Sequence, residues 1–149
     1  MAMTFENLAS LTGQEMGVSD WLLIDQDRIN KFADATNDHQ WIHVNEEMAK
    51  AMMPGGKTIA HGYLTLSLIP GLTGALMQVE GVTRAINYGS NKVRFISMVP
   101  VGSRVRARVK LLAVEPKSGG LLMTNEVTME VEGLERPAFV AETLALLYK

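Results

Sequence analysis

Apolar positions in the first half of the chain recur every three to four residues, and in the second half every two. "QDRINKFADAT" carries Ile29, Phe32, Ala33 and Thr36 at helical spacing, which predicts one helix with a single buried face. Asp25 stands at its N-cap position, and Asn37 is suited to the left-handed residue that closes a helix. "DWLLID" before it (Asp20 to Asp25) reads as a short strand. "NEEMAKAM" reads as a second short helix, capped by Asn45 with Glu46 and Glu47 in its positive first turn. "MPGGK" reads as a mobile connection. "IAHGYLTLSLIPGLTGALMQV" is apolar on nearly every side, so it predicts a helix at the centre of the domain, kinked or interrupted at Pro70.

From Thr83 the period becomes two. Val105, Ala107, Val109, Leu111 and Ala113 fall on one face of a strand, with Arg104, Arg106, Arg108 and Lys110 on the other. A turn at Lys117 to Gly120 leads into a strand with Met123, Val127, Met129 and Val131 on one face and Glu126, Glu130 and Glu132 on the other. With a three-residue loop, Arg108 would meet Glu130 and Arg106 would meet Glu132. "TRAINYGSNKVRFIS" and "PAFVAETLALLYK" supply two further strands. The pattern is α+β, a run of antiparallel strands that must wrap the apolar helix, in one domain spanning residues 1–149.

Composition narrows the function. The 149 residues carry a net charge of −2 and 47% hydrophobic residues, so no basic excess points to nucleic acid. There is no cysteine, which removes disulfides and thiolate chemistry. No basic start followed by an apolar run opens the chain, so no signal peptide is expected. Residues 58–79 lack formal charge over a length that could span a bilayer. The interspersed Gly, Pro, Ser, Thr and Gln favour a buried helix, and no membrane association is expected.

Chemistry concentrates in "NDHQWIH" (Asn37 to His43). A metal clip would use His39 and His43, four apart, with Asp38. Trp41 and Ile42 just after a helix stop argue against the regular helix that clip needs, and no metal is expected. Asp38 could also simply brace the loop, with His43 a satisfied core ring. His39 is given no role. The third reading has Asp38 and His43 converging on one water. Adding water across an activated double bond takes a proton from water and gives one to carbon, which a carboxylate and an imidazole can do near neutral pH. Gly62 opens the apolar helix, where peptide N–H groups lack intrahelical partners and could face a developing oxyanion. Packing at a helix start explains Gly62 equally well on its own.

"FADATNDHQWIHVN" followed by "KTIAHGYLTLSL" resembles the MaoC-like dehydratases, the (R)-specific enoyl-CoA hydratases, in a subgroup carrying "DHQWIH". Phe32, Ala33, Thr36, Asp38, Ile42, His43, His61 and Gly62 carry the match. Asn37, Gln40-Trp41 and Pro70 depart from the usual pattern, Pro70 standing where some members place a Ser beside the catalytic Asp. The resemblance implies a hotdog fold, a long central helix wrapped by a curved sheet, and a homodimer or higher even oligomer. It implies a cytoplasmic lyase of fatty acid metabolism that hydrates trans-2-enoyl-CoA reversibly to (R)-3-hydroxyacyl-CoA without a cofactor. Asp38 and His43 would hold the water and the Gly62 N–H the thioester oxygen, with His61 bracing the helix start. Trp41, Tyr63, Leu66 and Phe95 are candidate walls of an acyl tunnel, and Lys92 and Arg94, with Lys57, candidate contacts for CoA phosphates. The arginine stripe is better read as cross-strand ion pairs. A hotdog acyl-CoA thioesterase and a non-catalytic acyl-thioester-binding module are the alternatives.

Overall fold

The computed structural model describes residues 2–149. Six strands form one antiparallel sheet: β1 (Glu15–Val18), β2 (Leu22–Leu23), β3 (Arg84–Phe95), β4 (Arg104–Lys117), β5 (Gly120–Val131) and β6 (Phe139–Tyr148). The order is β1-β4-β5-β6-β3, with β2 also pairing with β4. The helices α1 (Gln26–Thr36), α2 (Trp41–Val44), α3 (Glu46–Met52), α4 (Gly62–Ser67) and α5 (Ile69–Thr73) all fall between β2 and β3. The fold is α+β, a curved sheet around a helical centre.

Local signals set the helix ends. The Asp25 carboxylate accepts the Arg28 N–H at 2.9 Å, and Asn37 adopts φ 60°, ψ 25° to close α1. The Asn45 side chain accepts the Met48 N–H at 3.0 Å and caps α3. The central helix is two short segments. It breaks at Leu68, and Pro70 sits in the first turn of α5, where its missing N–H costs nothing. The interruption falls where Pro70 predicts it, but the helix is shorter than "long" implies. Among the described residues no helix is long and apolar enough to cross a membrane.

The helices α4 and α5 pack Leu64, Leu66, Leu68, Ile69 and Leu72 on the inner face of the sheet, against Val105, Ala107, Val109, Val127, Met129, Val131, Phe139 and Ala141. Phe139 is fully buried, a contribution of about 1.5–3 kcal/mol by area. The outward face of α4 and α5, with Tyr63, Ser67, Pro70, Gly71 and Gly74, stays open in the single chain. The sheet therefore covers one side of this helix pair, not all of it.

Four differences from the sequence reading have simple causes. The expected Asp20–Asp25 strand shrinks to Leu22–Leu23, because β4 has only its end, Arg104 and Val105, left to pair with it beyond β1. "MPGGK" closes as a 3-10 turn over Pro54–Gly56, with Gly55 at φ 79°. The hairpin between β4 and β5 turns on two residues, Ser118 and Gly119, both with positive φ. A bulge between Leu111 and Ala113 then shifts the register, so that Leu112 is the extra residue and Val114, not Ala113, packs on the core. Arg108 meets Glu130 at 2.9 Å as expected. Arg106 also reaches Glu130, at 2.7 Å, and Glu132 pairs with Arg104. Arg108 also pairs with Glu15, and the Arg106 guanidinium lies 4.3 Å over the Trp21 ring. This ladder lies on the wet face, where each pair contributes at most about 1 kcal/mol.

Candidate active site

The segment after α1 is held from three sides. Asn37 turns the chain back, and the Asp38 carboxylate accepts the Gln40 N–H at 3.3 Å, closing a local turn. The next residues wind into α2, a single helical turn that the sequence reading did not expect between Asp38 and Val44. Residues 58–60 run extended between α2 and residues 99–101. The Ile59 N–H donates to the Ile42 carbonyl at 3.0 Å, the Ala60 N–H to Val99 at 2.8 Å, and Val101 N–H returns to Thr58 at 2.9 Å. This strip leads directly into His61 and α4.

The strip also fixes the ring of His43. His43 Nδ1 lies 2.7 Å from the Ile59 carbonyl. A carbonyl only accepts, so Nδ1 carries the hydrogen and Nε2 keeps its lone pair in the neutral ring. Burial holds the His43 pKa below the ordinary histidine value. The Ile59 carbonyl and Asp38 oppose that shift and the neighbouring His61 adds to it. His43 is therefore a neutral acceptor near pH 7. Its backbone is tied down as well. The Gln26 amide donates to the His43 carbonyl at 2.8 Å, and the buried Thr58 hydroxyl donates to Gln26 at 2.6 Å.

His61 completes the group. Its ring stacks on that of His43, with centroids 3.8 Å apart and planes 21° apart, and the Phe32 ring lies tilted against it at 4.9 Å. His61 Nε2 donates to the Asp38 backbone carbonyl at 3.0 Å and lies 4.0 Å from the Asp38 carboxylate. His61 Nδ1 is buried without a partner. One ligand atom from each of Asp38, His43 and His61 falls within 4.8 Å of the others. Asp38 is 51% exposed and the two histidines are 7% and 3% exposed, so the trio has a wet carboxylate over a buried imidazole pair. That spacing suits one water, and equally one small cation. His39 turns away to Asp34, at 2.9 Å.

The start of α4 lies next to this trio in the chain. Leu64 and Thr65 N–H groups donate back to the His61 carbonyl at 3.0 and 3.3 Å, while those of Gly62 and Tyr63 have no backbone acceptor among the described residues. Phe95 lies so close to Gly62 that an added Cβ would stand 2.9 Å from its ring. Gly62 thus has a packing reason as well as an open N–H.

Of the expected acyl-contact residues, only Leu66 lines the large cavity, about 1010 Å³, between α4, α5 and the inner sheet face. Tyr63 is 70% exposed and meets Phe95 edge to face, and Trp41 is half-buried at the start of α2. Lys92 pairs with Glu142 at 3.8 Å, and Arg94 is exposed on β3. Gln26, Thr58 and the Ile59 carbonyl were invisible to the sequence reading, because nothing in their spacing marks them. His61 was visible as half of His-Gly, though its ring stack was not.

Residues 7–132 match the MaoC like domain model. The chain is 53% identical over 145 residues to 3-hydroxyacyl-thioester dehydratase Z of Mycobacterium tuberculosis, covering 95% of both. In fold it resembles a monoamine oxidase regulatory protein from Archaeoglobus fulgius, with TM-score 0.81 and 24% identity, covering 99% of this chain and 95% of that one. It also resembles the (R)-hydratase from A. caviae involved in PHA biosynthesis, with TM-score 0.74 and 23% identity over 92% of this chain and 96% of that one. With that sequence identity, that domain match and this sheet and helix arrangement, the chain belongs to the MaoC-like dehydratase family, hydro-lyases of the hotdog fold.

Proposed function

We propose that this protein is an (R)-specific enoyl-CoA hydratase that interconverts trans-2-enoyl-CoA and (R)-3-hydroxyacyl-CoA. The observation that carries the reading is a half-exposed carboxylate, Asp38, with a ligand atom within 4.8 Å of one on the neutral His43 imidazole, beside a helix start. Water held between Asp38 and His43 Nε2 attacks C3 of the double bond. Nε2 takes the proton that water loses, and the Asp38 carboxylate accepts the hydrogen that stays on oxygen. Electron density moves onto the thioester oxygen, where the Gly62 N–H donates to it. The imidazolium returns its proton to C2, so the dyad ends as it began. Water and proton then arrive from one side of the double bond. No cofactor takes part.

Support for the substrate class comes from the thioester dehydratase named above and from the fold of the (R)-hydratase. The thioesterase reading has no observation of its own. The test follows crotonyl-CoA by loss of enoyl absorbance and by release of free thiol in the same reaction. Absorbance loss without thiol, giving the (R)-alcohol, is expected. Thiol release would make it a thioesterase, and tight binding without turnover a binding module. We place the protein in the cytoplasm, in fatty acid metabolism, with acyl-CoA as its small-molecule partner.

The assembly proposed is a homodimer through β3. This strand ends the sheet with one side unpaired, and Ile86, Tyr88, Val93 and Phe95 along it are 37–49% exposed. Such an edge in a lone chain invites pairing. Sedimentation should find the wild type as a dimer or larger even assembly. Ile86→Lys with Tyr88→Lys should shift it to monomer and lower hydration at least tenfold. A monomeric wild type of full activity would overturn the dimer.

A further inference from the structure

The inner face of the sheet carries a polar row where its neighbours are apolar. Asn125 in β5 stands opposite Thr143 in β6, and Thr143 stands opposite Ser90 in β3. Register partners share a face, and all three residues line the large cavity beside α5. Met123 and Val127 flank Asn125 on the same face, and Ala141 and Ala145 flank Thr143. Asn125 is 7% exposed and its Oδ1 is buried with no hydrogen-bond partner. Thr143 forms no side-chain hydrogen bond among the described residues either. By contrast the hydroxyls of Ser67 and Thr73 on the helix side are satisfied by the carbonyls of Tyr63 and Ile69. A buried amide without partners is costly, and hydrocarbon in the cavity would leave it so.

We propose that this row recognises a hydroxyl group carried on the acyl chain of the substrate. The unmet Asn125 Oδ1 calls for a donor while the Asn125 amide and the Thr143 hydroxyl can also donate, so a group that is donor and acceptor at once meets the row more fully than a ketone, which only accepts. A hydroxyl donates to Asn125 Oδ1 and has lone pairs left for the Asn125 amide or the Thr143 hydroxyl. The inference rests on the hydratase reading, which places the thioester oxygen at Gly62. Phe95 packs on Gly62 and pairs with Phe139 in β6, and Thr143 lies four residues beyond Phe139. Four residues of strand span about 13 Å. An extended chain gains about 1.2 Å per bond, as the roughly 3.5 Å covered by three backbone bonds shows. The row is thus on the order of ten bonds from the thioester carbon, which places the hydroxyl toward the end of a medium-length chain, and a twelve-carbon chain is the probe.

The test compares kcat/KM for crotonyl-CoA, trans-2-dodecenoyl-CoA and 12-hydroxy-trans-2-dodecenoyl-CoA. Wild type should favour the hydroxylated chain over the plain one by about tenfold, since a site built to hydrogen-bond a hydroxyl rejects the analogue lacking it. Asn125→Leu and, separately, Thr143→Val should bring that ratio to one or below. Thr143→Val keeps the test decisive should Asn125→Leu fold poorly. Equal rates on the two long chains in wild type, or a preference for the plain one, would overturn the proposal. So would turnover of crotonyl-CoA with neither long chain accepted. Failure on crotonyl-CoA itself would instead overturn the hydratase reading beneath it.

Discussion

Asp38→Asn and His43→Gln should each lower hydration of crotonyl-CoA by about 10²–10⁴-fold, with circular dichroism and melting temperature close to wild type. The two effects have different origins. An asparagine in place of Asp38 would keep the turn and the backbone carbonyl that receives His61, but its amide cannot hold water with a full negative charge. Asp38 is half exposed, so its neutralisation removes no buried charge from the fold. A glutamine in place of His43 exchanges the imidazole for a group that cannot take up a proton. It gives up the 2.7 Å bond to Ile59, at a cost of about 1 kcal/mol. Either variant at wild-type rate would end the Asp38–His43 mechanism.

The pH dependence has a definite sign. His43 acts as base only when neutral, and burial lowers its pKa in the folded protein. The acid limb of kcat/KM should therefore fall below the ordinary histidine value of about 6.5. It should vanish in His43→Gln. Linkage runs the same way. Below about pH 6.5 the unfolded chain takes up a proton that folded His43 resists, so its stabilising contribution is complete above the unfolded pKa. That contribution is lost as pH falls toward the folded one. Urea midpoints of wild type should drop across that window more than those of His43→Gln.

Periodicity carried the strands and the main helix because each buries one face against a partner. Val105, Ala107, Val109 and Leu111 are all buried, as period two demands. It failed at Ala113, because a bulge is set by pairing across two strands and leaves no mark in either one alone. Asn37 was legible as a left-handed residue because few residues tolerate that conformation. The Asp38–His43 spacing was legible as chemistry, but the element joining them was not. One turn of helix at Trp41–Val44 is too short for a period, and it is held by Ile59, which pairs with Ile42 from well beyond any local window. Asn125 shares the parity of Met123 and Val127, so period two already turned it inward; what the sequence did not show was that Thr143 and Ser90 lie across from it in neighbouring strands.

Gly62→Ala is the third variant expected to lose activity heavily, about 10²-fold in kcat/KM, with little change in stability. Its backbone allows the change, since Gly62 has no positive φ. The obstacle is Phe95, whose Cε1, Cδ1 and Cζ would lie 2.9, 3.1 and 3.2 Å from the new methyl. Overpacking of that kind costs about 1–3 kcal/mol in a closed core. Phe95 is 47% exposed within the single chain and meets the Tyr63 and Phe139 rings edge to face, so it is not locked in the protomer's own core and the cost falls at the low end. Alanine in place of glycine in a helix returns roughly 0.5–1 kcal/mol. The two nearly cancel, and the melting temperature should move by only a few degrees. The rate has no such compensation: a Cβ next to the Gly62 N–H is expected to crowd the close approach of a thioester oxygen, and a donor of this type kept out of reach costs about 10²–10³. Adding Phe95→Leu separates the causes. The double variant should recover any lost stability while its rate stays low, because the methyl remains. Recovery of the rate would mean that the displaced ring, not the blocked amide, was the fault, and a wild-type rate in Gly62→Ala alone would remove Gly62 from the oxyanion role.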